Sequence, residues 1–310
     1  METPLISIII PTYNREKLIL NALDSIFNQT FQDYEILIID DASTDNTEQV
    51  IKELNHPKIK YLKLEKNSGQ CIARNFGAKR AQGQFIAFLD SDDEWLPQKL
   101  ENQVRIFNEG SDRLGAVYGY SYQKDVIKDE TVLRDSGYFR GDIHGKMLTG
   151  FCPPTPSLFV VKRSAFESVQ GFDEALITFV DLDLWLRISE KHDFDYVEEP
   201  IITKFEQIGD QYINNFDKRY RGYHLFMKKW SNYITEKKGK KGLLIFKRSL
   251  VFKLVFPFLE HPPADLRKNI TKLMGLLFQV RSTRMRLYIK SSLILIFGPG
   301  IILRLRKIRS

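Results

Sequence analysis

Residues 85–97 read FIAFLDSDDEWLP, an apolar run followed at once by Asp90, Asp92, Asp93 and Glu94. Carboxylates this close repel one another, and a carboxylate beside a buried strand is costly to desolvate. A divalent cation relieves both penalties. Asp90-Ser91-Asp92 has the D-x-D spacing at which two carboxylates share a hard cation with phosphate oxygens. Mg2+ or Mn2+ held by one or two carboxylates, water and a substrate's diphosphate is the expected form. A calcium loop is the rival, because Asp90, Asp92, Glu94 and Glu101 fall on template positions 1, 3, 5 and 12. Trp95 where that template needs glycine, Pro97 within the loop, and a strand in place of the entering helix argue against it.

A second acidic pair, Asp40-Asp41, follows the apolar run Tyr34–Ile39. A carboxylate there can accept a hydrogen bond from a nucleobase N–H. Pro11-Thr12-Tyr13-Asn14, after the first apolar run, can set Tyr13 against a base ring. The alternative is a solvated loop with a helix cap at Ser43 or Asp45. The five histidines show no pairing that suggests a metal or a proton relay. Trp95 and Trp185 fit core packing better than an acceptor path. No G-x-G-x-x-G or Walker loop is present, which argues against a nicotinamide enzyme and a P-loop ATPase.

The elements that position these groups alternate. Leu5–Ile10, Tyr34–Ile39, Ile59–Leu64 and Phe85–Leu89 are short apolar runs with the character of strands buried on both faces. Between them, helical spacing predicts helices over Glu16–Gln29, about Asn46–Leu54, and Gly69–Ala81; Pro97 opens another, carrying Leu100, Val104 and Phe107. Glu94 reads as an acid at that helix's start. Strand–helix repetition implies right-handed crossovers and a doubly wound, mostly parallel α/β sheet, in which ligands bind beyond the carboxyl ends of the strands. Both acidic pairs lie at such ends. Ala116–Tyr122 and Leu158–Val161 read as further strands, Asp181–Lys191 as a helix, and Cys152–Pro156 as a rigid loop.

Charge divides the chain. Residues 211–310 hold 23 Lys and Arg against 4 Asp and Glu, whereas residues 1–210 hold 23 against 35. This asymmetry predicts two parts, 1–210 and a basic helical extension over 211–310. In the tail Leu287–Ser310, the uncharged run Ser291–Leu303 is short of the ~20 residues a spanning helix needs. Its flank of Arg304, Arg306, Lys307 and Arg309 suits an interfacial contact with anionic lipid. The start of the chain does not read as a signal peptide, and two cysteines, Cys71 and Cys152, form no disulfide framework. A cytoplasmic protein, peripheral at the inner face of the cell membrane, is the expectation.

Taken together, SIIIPTYNR, EILIIDDASTDNT and LEKNSGQCIARNFGAKRAQGQFIAFLDSDDEWLPQKL resemble the family 2 glycosyltransferases of GT-A fold in order, spacing and strand-end placement. A weaker match continues through PPTPSLFVVKRSAFESVQGFDEAL and VDLDLWLRI to about Ile188. The resemblance implies sugar transfer from a nucleotide diphosphate donor, with a lean to uridine, to an acceptor hydroxyl with inversion. It makes Pro11, Tyr13 and Asp40 nucleoside-binding positions and Arg74 a basic contact near base and diphosphate. It makes Asp90 and Asp92 the pair that holds Mn2+ or Mg2+, Asp92 the more direct ligand, and Asp93 a neighbour of sugar or metal. Asp181 aligns with the catalytic base and Asp183 with a carboxylate that serves the helix start. Val180 departs from the family's glutamate.

The implied partners are the donor, a glycan or lipid-linked acceptor and an anionic membrane, with no nucleic acid. A nucleotidyltransferase would need a glycine-rich loop after the first strand, which PTYNR lacks. A non-catalytic nucleotide-sugar-binding subunit is the alternative that Val180 favours and an intact Asp181 opposes.

Overall fold

The computed structural model describes residues 3–135, 137–152, 155–206, 215–260, 272, 275 and 276. The chain divides into two compact units, one formed by Met1–His144, Cys152–Ala175 and Val180–Gln207, the other by Gly145–Phe151, Leu176–Phe179 and Ile208–Ser310.

The first unit opens with the expected alternation: β1 (Ile6–Thr12), α1 (Ile19–Phe27), β2 (Tyr34–Asp40), α2 (Thr47–Glu53), β3 (Ile59–Lys63), α3 (Gln70–Ala78) and β4 (Phe85–Phe88). There follow β5 (Asp93–Trp95), α4 (Lys99–Glu109), β6 (Leu114–Asp125), β7 (Glu130–Arg134), the one-turn α5 (His144–Met147), a 3-10 turn at Pro156–Leu158, β8 (Val160–Lys162), α6 (Arg163–Ser168), α7 (Val180–Ser189) and β9 (Asp193–Glu206). The strands form one sheet in the order β3-β2-β1-β4-β8-β6-β9-β5, with β7 added to β6. β3, β2, β1 and β4 run parallel. β8 is antiparallel to β4 and β6, and β9 is parallel to β6. Six of the seven residues of β1 and all seven of β2 are buried, which is why they read as continuous apolar runs rather than alternations. α3 lies so close to this sheet that a Cβ on Gly77 would meet Ile9 Cγ2 at 2.7 Å.

Three strands escape a sequence reading. β9 carries Pro200 and five acidic residues, a pattern that argues against a strand, yet it pairs along its length with β6 through register shifts. All five residues of β7 are exposed. β5 corrects the expectation for Glu94, which lies mid-strand opposite Thr203 while α4 begins only at Lys99. The physical reason is the open edge of β9, which Asp93–Trp95 completes. Period-two alternation buries Asp93 and Trp95, and the Trp95 indole donates to Ser157 O at 3.0 Å. Beneath β5, Lys99 is fully buried, with Nζ 2.7 Å from Gln103 Oε1 and 4.1 Å from the centre of the Trp95 ring.

In the second unit, α8 (Phe216–Glu260) breaks at Gly239, whose φ of 67° is left-handed. The two halves turn back on each other: Phe226 stacks on Phe246 at 6.1 Å, and an Arg219 guanidinium N–H donates to Lys253 O at 3.1 Å. Among the described residues no helix is long and apolar enough to cross a membrane. The interfacial tail expected over 287–310 lies outside the described residues.

Candidate active site

Two loops at the carboxyl ends of β1 and β2 are tied together by the residues that read as helix caps. Ser43 Oγ accepts the Asn14 amide at 2.9 Å, and Asp45 accepts the amides of Glu16 and Thr47 at 3.2 and 3.1 Å. Asp40 is fully buried; its Oδ1 accepts the Ser43 amide at 2.7 Å and its Oδ2 accepts the Tyr61 hydroxyl. Burial and the Asp40 charge push the Tyr61 hydroxyl well above the ordinary tyrosine value, so it remains a donor. Asp41 accepts the amides of Ser68 and Gly69 at 2.6 and 2.7 Å and thereby fixes the entry to α3. Tyr13 is 40% exposed and Pro11 half-buried at this rim, open to a ring that stacks.

The second cluster forms where β4 ends. Arg74, projecting from α3 and fully buried, places one guanidinium nitrogen 2.5 Å from Asp90 Oδ1 and the other terminal nitrogen 3.7 Å from Asp181 Oδ1. One cation thus holds two carboxylates 91 residues apart in sequence. Asp90 also accepts the Thr155 hydroxyl at 3.1 Å, and its amide donates to Ser157 Oγ at 3.0 Å. Burial works against ionisation of Asp90, but the Arg74 charge and hydrogen bond outweigh it and hold the carboxyl below its usual value. Asp181, in the first turn of α7, shows the opposite balance: burial pushes it up to about 6, against Arg74 and with the help of the Asp90 charge.

Accessibility separates the acids. The side chains of Asp90, Asp92 and Asp181 keep 28, 30 and 29% of their surface exposed, so a ligand can reach them. Asp93 is 2% exposed, its Oδ2 has no hydrogen-bond partner, and burial with the Asp90 charge pushes its carboxyl up to about 8. It holds a proton at neutral pH and is not brought into the cleft. Asp183 is fully buried and bound by Arg187 at 2.7 and 2.8 Å, a helix-stabilising i,i+4 pair. Val180 is buried in α7, so the departure from the family's glutamate leaves Asp181 beside Arg74.

Among the described residues no three His, Cys, Asp or Glu side chains are grouped to hold a metal by themselves. The reachable Asp90 and Asp92 are hard oxygen donors at D-x-D spacing. That set fits Mg2+ or Mn2+ in the mode that leaves the remaining positions to phosphate oxygens and water. Arg15 lies 3.8 Å from Asp92 and Lys204 faces the same acids from β9. Arg15 ends the SIIIPTYNR block, but nothing in that block marks it as a partner of Asp92; for Lys204 a lone lysine in a strand interrupted by Pro200 gave no signal.

Comparison with known proteins places these residues in context. The model of the family described as "Glycosyl transferase family 2" matches residues 7–169, just over half of the chain. A glycosyltransferase of Methanocaldococcus jannaschii, MJ1057, is 29% identical over 75% of this chain and 81% of its own. WcaA of Escherichia coli, a glycosyl transferase named for colanic acid biosynthesis, is 29% identical over 73% of this chain and 81% of its own. WfgD of Escherichia coli, named as a UDP-Glc:alpha-D-GlcNAc-diphosphoundecaprenol beta-1,3-glucosyltransferase, is 45% identical over 34% of this chain and 41% of its own. Of two Rickettsia glycosyltransferases, 31 and 33% identical, the chain spans only 26 and 32% of the length. Among solved structures, Staphylococcus aureus TarS 1–349 with UDP-GlcNAc superposes with a TM-score of 0.65 at 18% identity, covering 95% of this chain and 87% of that one. The Pyrobaculum calidifontis mannosyltransferase PcManGT with GDP-Man and Mn2+ superposes at 0.59 and 18%, covering 96 and 86%. These likenesses show the GT-A fold.

Proposed function

We propose that this chain, which belongs to glycosyl transferase family 2, transfers a sugar from a nucleotide diphosphate donor to an acceptor hydroxyl with inversion, in the synthesis of a cell-surface glycan or polysaccharide. The observation that carries the reading is Arg74 hydrogen-bonded to Asp90 and paired at 3.7 Å with Asp181. It fixes the carboxylate of the donor side and the candidate base in one arrangement. At pH 7 a carboxyl pushed up to about 6 is mostly ionised, yet more basic than an ordinary aspartate, as a general base requires. In the step, the acceptor O–H gives its proton to Asp181 as its oxygen forms the bond to the anomeric carbon. The bond from that carbon to the diphosphate oxygen breaks on the opposite face, and its electron pair leaves with the diphosphate. Asp92, with Asp90, would hold Mn2+ or Mg2+, whose charge would ease that departure. Asp40, Pro11 and Tyr13 form the nucleoside pocket, with Asp40 exchanging a protein donor for a base N–H.

The donor base is taken as uridine, in line with the UDP-Glc for which WfgD is named and the UDP-GlcNAc bound by TarS. The metal reading is in line with the Mn2+ of PcManGT. A hexose is the sugar and a glycan or lipid-linked glycan the acceptor; the basic part from residue 211 onward keeps the enzyme peripheral at the inner face of an anionic membrane. The Asp181→Asn variant is the test. It keeps UDP binding, measured calorimetrically with Mn2+, and loses transfer by about a hundredfold or more. Retained turnover rejects Asp181 as the base, and retention of anomeric configuration in the wild-type product, read by NMR, rejects inversion.

A further inference from the structure

Lys204 lies directly across from Asp93 in the β5–β9 ladder, and its other neighbour strand contributes Gln123. The residue is exposed, and among the described residues its ammonium makes no hydrogen bond and no ion pair. Burial of the amine pulls it down, yet Asp93, Asp90, Asp92 and Asp181 together raise it above the ordinary lysine value. A cation facing four acidic side chains, three of them ionised at neutral pH, and hydrogen-bonded to none of them is unusual.

Each of the other cations of the site lies beside an acid, although Arg74 Nε and Nη1 make no hydrogen bond among the described residues. Arg74 is 2% exposed at its side chain and divided between Asp90 and Asp181, and Arg15 sits 3.8 Å from Asp92. A diphosphate entering beside Asp90, Asp92 and Asp181 meets three reachable carboxylates. It needs a positive charge within range of its oxygens, and Lys204 stands on the adjoining strand opposite Asp93. We propose that Lys204 binds the diphosphate of the donor, its ammonium taking the phosphate oxygens as charge-assisted partners. The assignment rests on the reading of this site as one for a nucleotide diphosphate sugar. It adds to that reading a residue outside the D-x-D turn, which closes on the leaving group from the opposite strand.

The experiment compares wild type, Lys204→Met and Lys204→Arg with UDP, GDP and UMP by calorimetry in the presence of Mn2+, alongside initial rates. Lys204→Met should weaken UDP binding by about tenfold or more, the value of one charge-assisted hydrogen bond. UMP, which lacks the second phosphate, should lose much less, and Lys204→Arg should recover most of the UDP affinity. In the rates, the loss should fall on the donor KM more than on kcat. A role confined to offsetting the four acidic side chains predicts a changed melting temperature without ligand and equal losses for UDP and UMP. That result overturns the assignment, as does a Lys204→Met protein that binds UDP like wild type. Wild type that binds neither UDP nor GDP overturns the nucleotide reading itself and this assignment with it.

Discussion

Lys99 offers a measurement in which one buried amine can be isolated from the rest of the protein. It is fully buried, holds one hydrogen bond to Gln103 Oε1, and lies over the Trp95 ring; burial pulls its amine well below 10.5. In the unfolded chain the same amine keeps its proton up to about pH 10.4. Between the two values the unfolded state therefore binds one more proton than the folded state, so stability rises with pH across that window. The slope is at most about 1.4 kcal/mol per pH unit, reached where the folded amine is neutral and the unfolded one charged. Lys99→Met keeps the volume nearly constant, removes the titration and orphans Gln103 Oε1, a cost of about 1–3 kcal/mol. The Gln103 amide keeps its own bonds to Val117 O and Leu158 O. Urea denaturation of both proteins from pH 7 to 10 should show the advantage of the variant, or its smallest deficit, at pH 7. The wild type should gain on it steadily with pH and be the more stable by about 1–3 kcal/mol at the top of the range. A difference independent of pH would mean that Lys99 carries the same proton in both states, and would refute the argument.

Other perturbations probe the site and its supports. Arg74→Lys cannot reach Asp90 and Asp181 together, so Asp181 loses part of what opposes its burial; the acid limb of kcat/KM, expected near pH 6, should move upward, and an unmoved limb would separate Asp181 from Arg74. Tyr61→Phe leaves Asp40 Oδ2 buried without that donor and should cost about 1–3 kcal/mol in chemical denaturation. Gly77→Ala drives a Cβ to within 2.7 Å of Ile9 Cγ2 and should cost about 1–3 kcal/mol, read as a lowered melting temperature; a neutral result would show that α3 can lift from the sheet.

The sequence exposes the first half of the sheet because β1, β2 and β4 are buried runs, each followed at once by a polar turn. It conceals β5, β7 and β9 for three different reasons: β5 has only three residues, of which Glu94 reads as a helix start, five exposed residues carry no face, and Pro200 contradicts the strand that contains it. Asp90, Asp92, Arg74 and Asp181 are legible as chemistry, but the guanidinium that joins two of them is a tertiary fact. Three acids show what residue type alone cannot give. Asp93 is turned inward and protonated, Asp183 is locked to Arg187, and Asp40 is already satisfied by Ser43 and Tyr61. Lys204 is defined only by the strand opposite it.

The D-x-D turn leaves β4, which pairs β1 and β8, and after four residues enters β5 at the far end of the strand order. Both ends of the turn are therefore pinned by ladders, so its length is set as strictly as that of a strand. One residue inserted between Leu89 and Asp93 would slip β5 by one position, turning Trp95 and Asp93 out and Glu94 in. Surface loops ordinarily absorb insertions; this one would transmit the slip to the cleft and to the packing over Lys99 alike. In a library of single-residue insertions and deletions, the interval should stand out as a turn intolerant of any change of length.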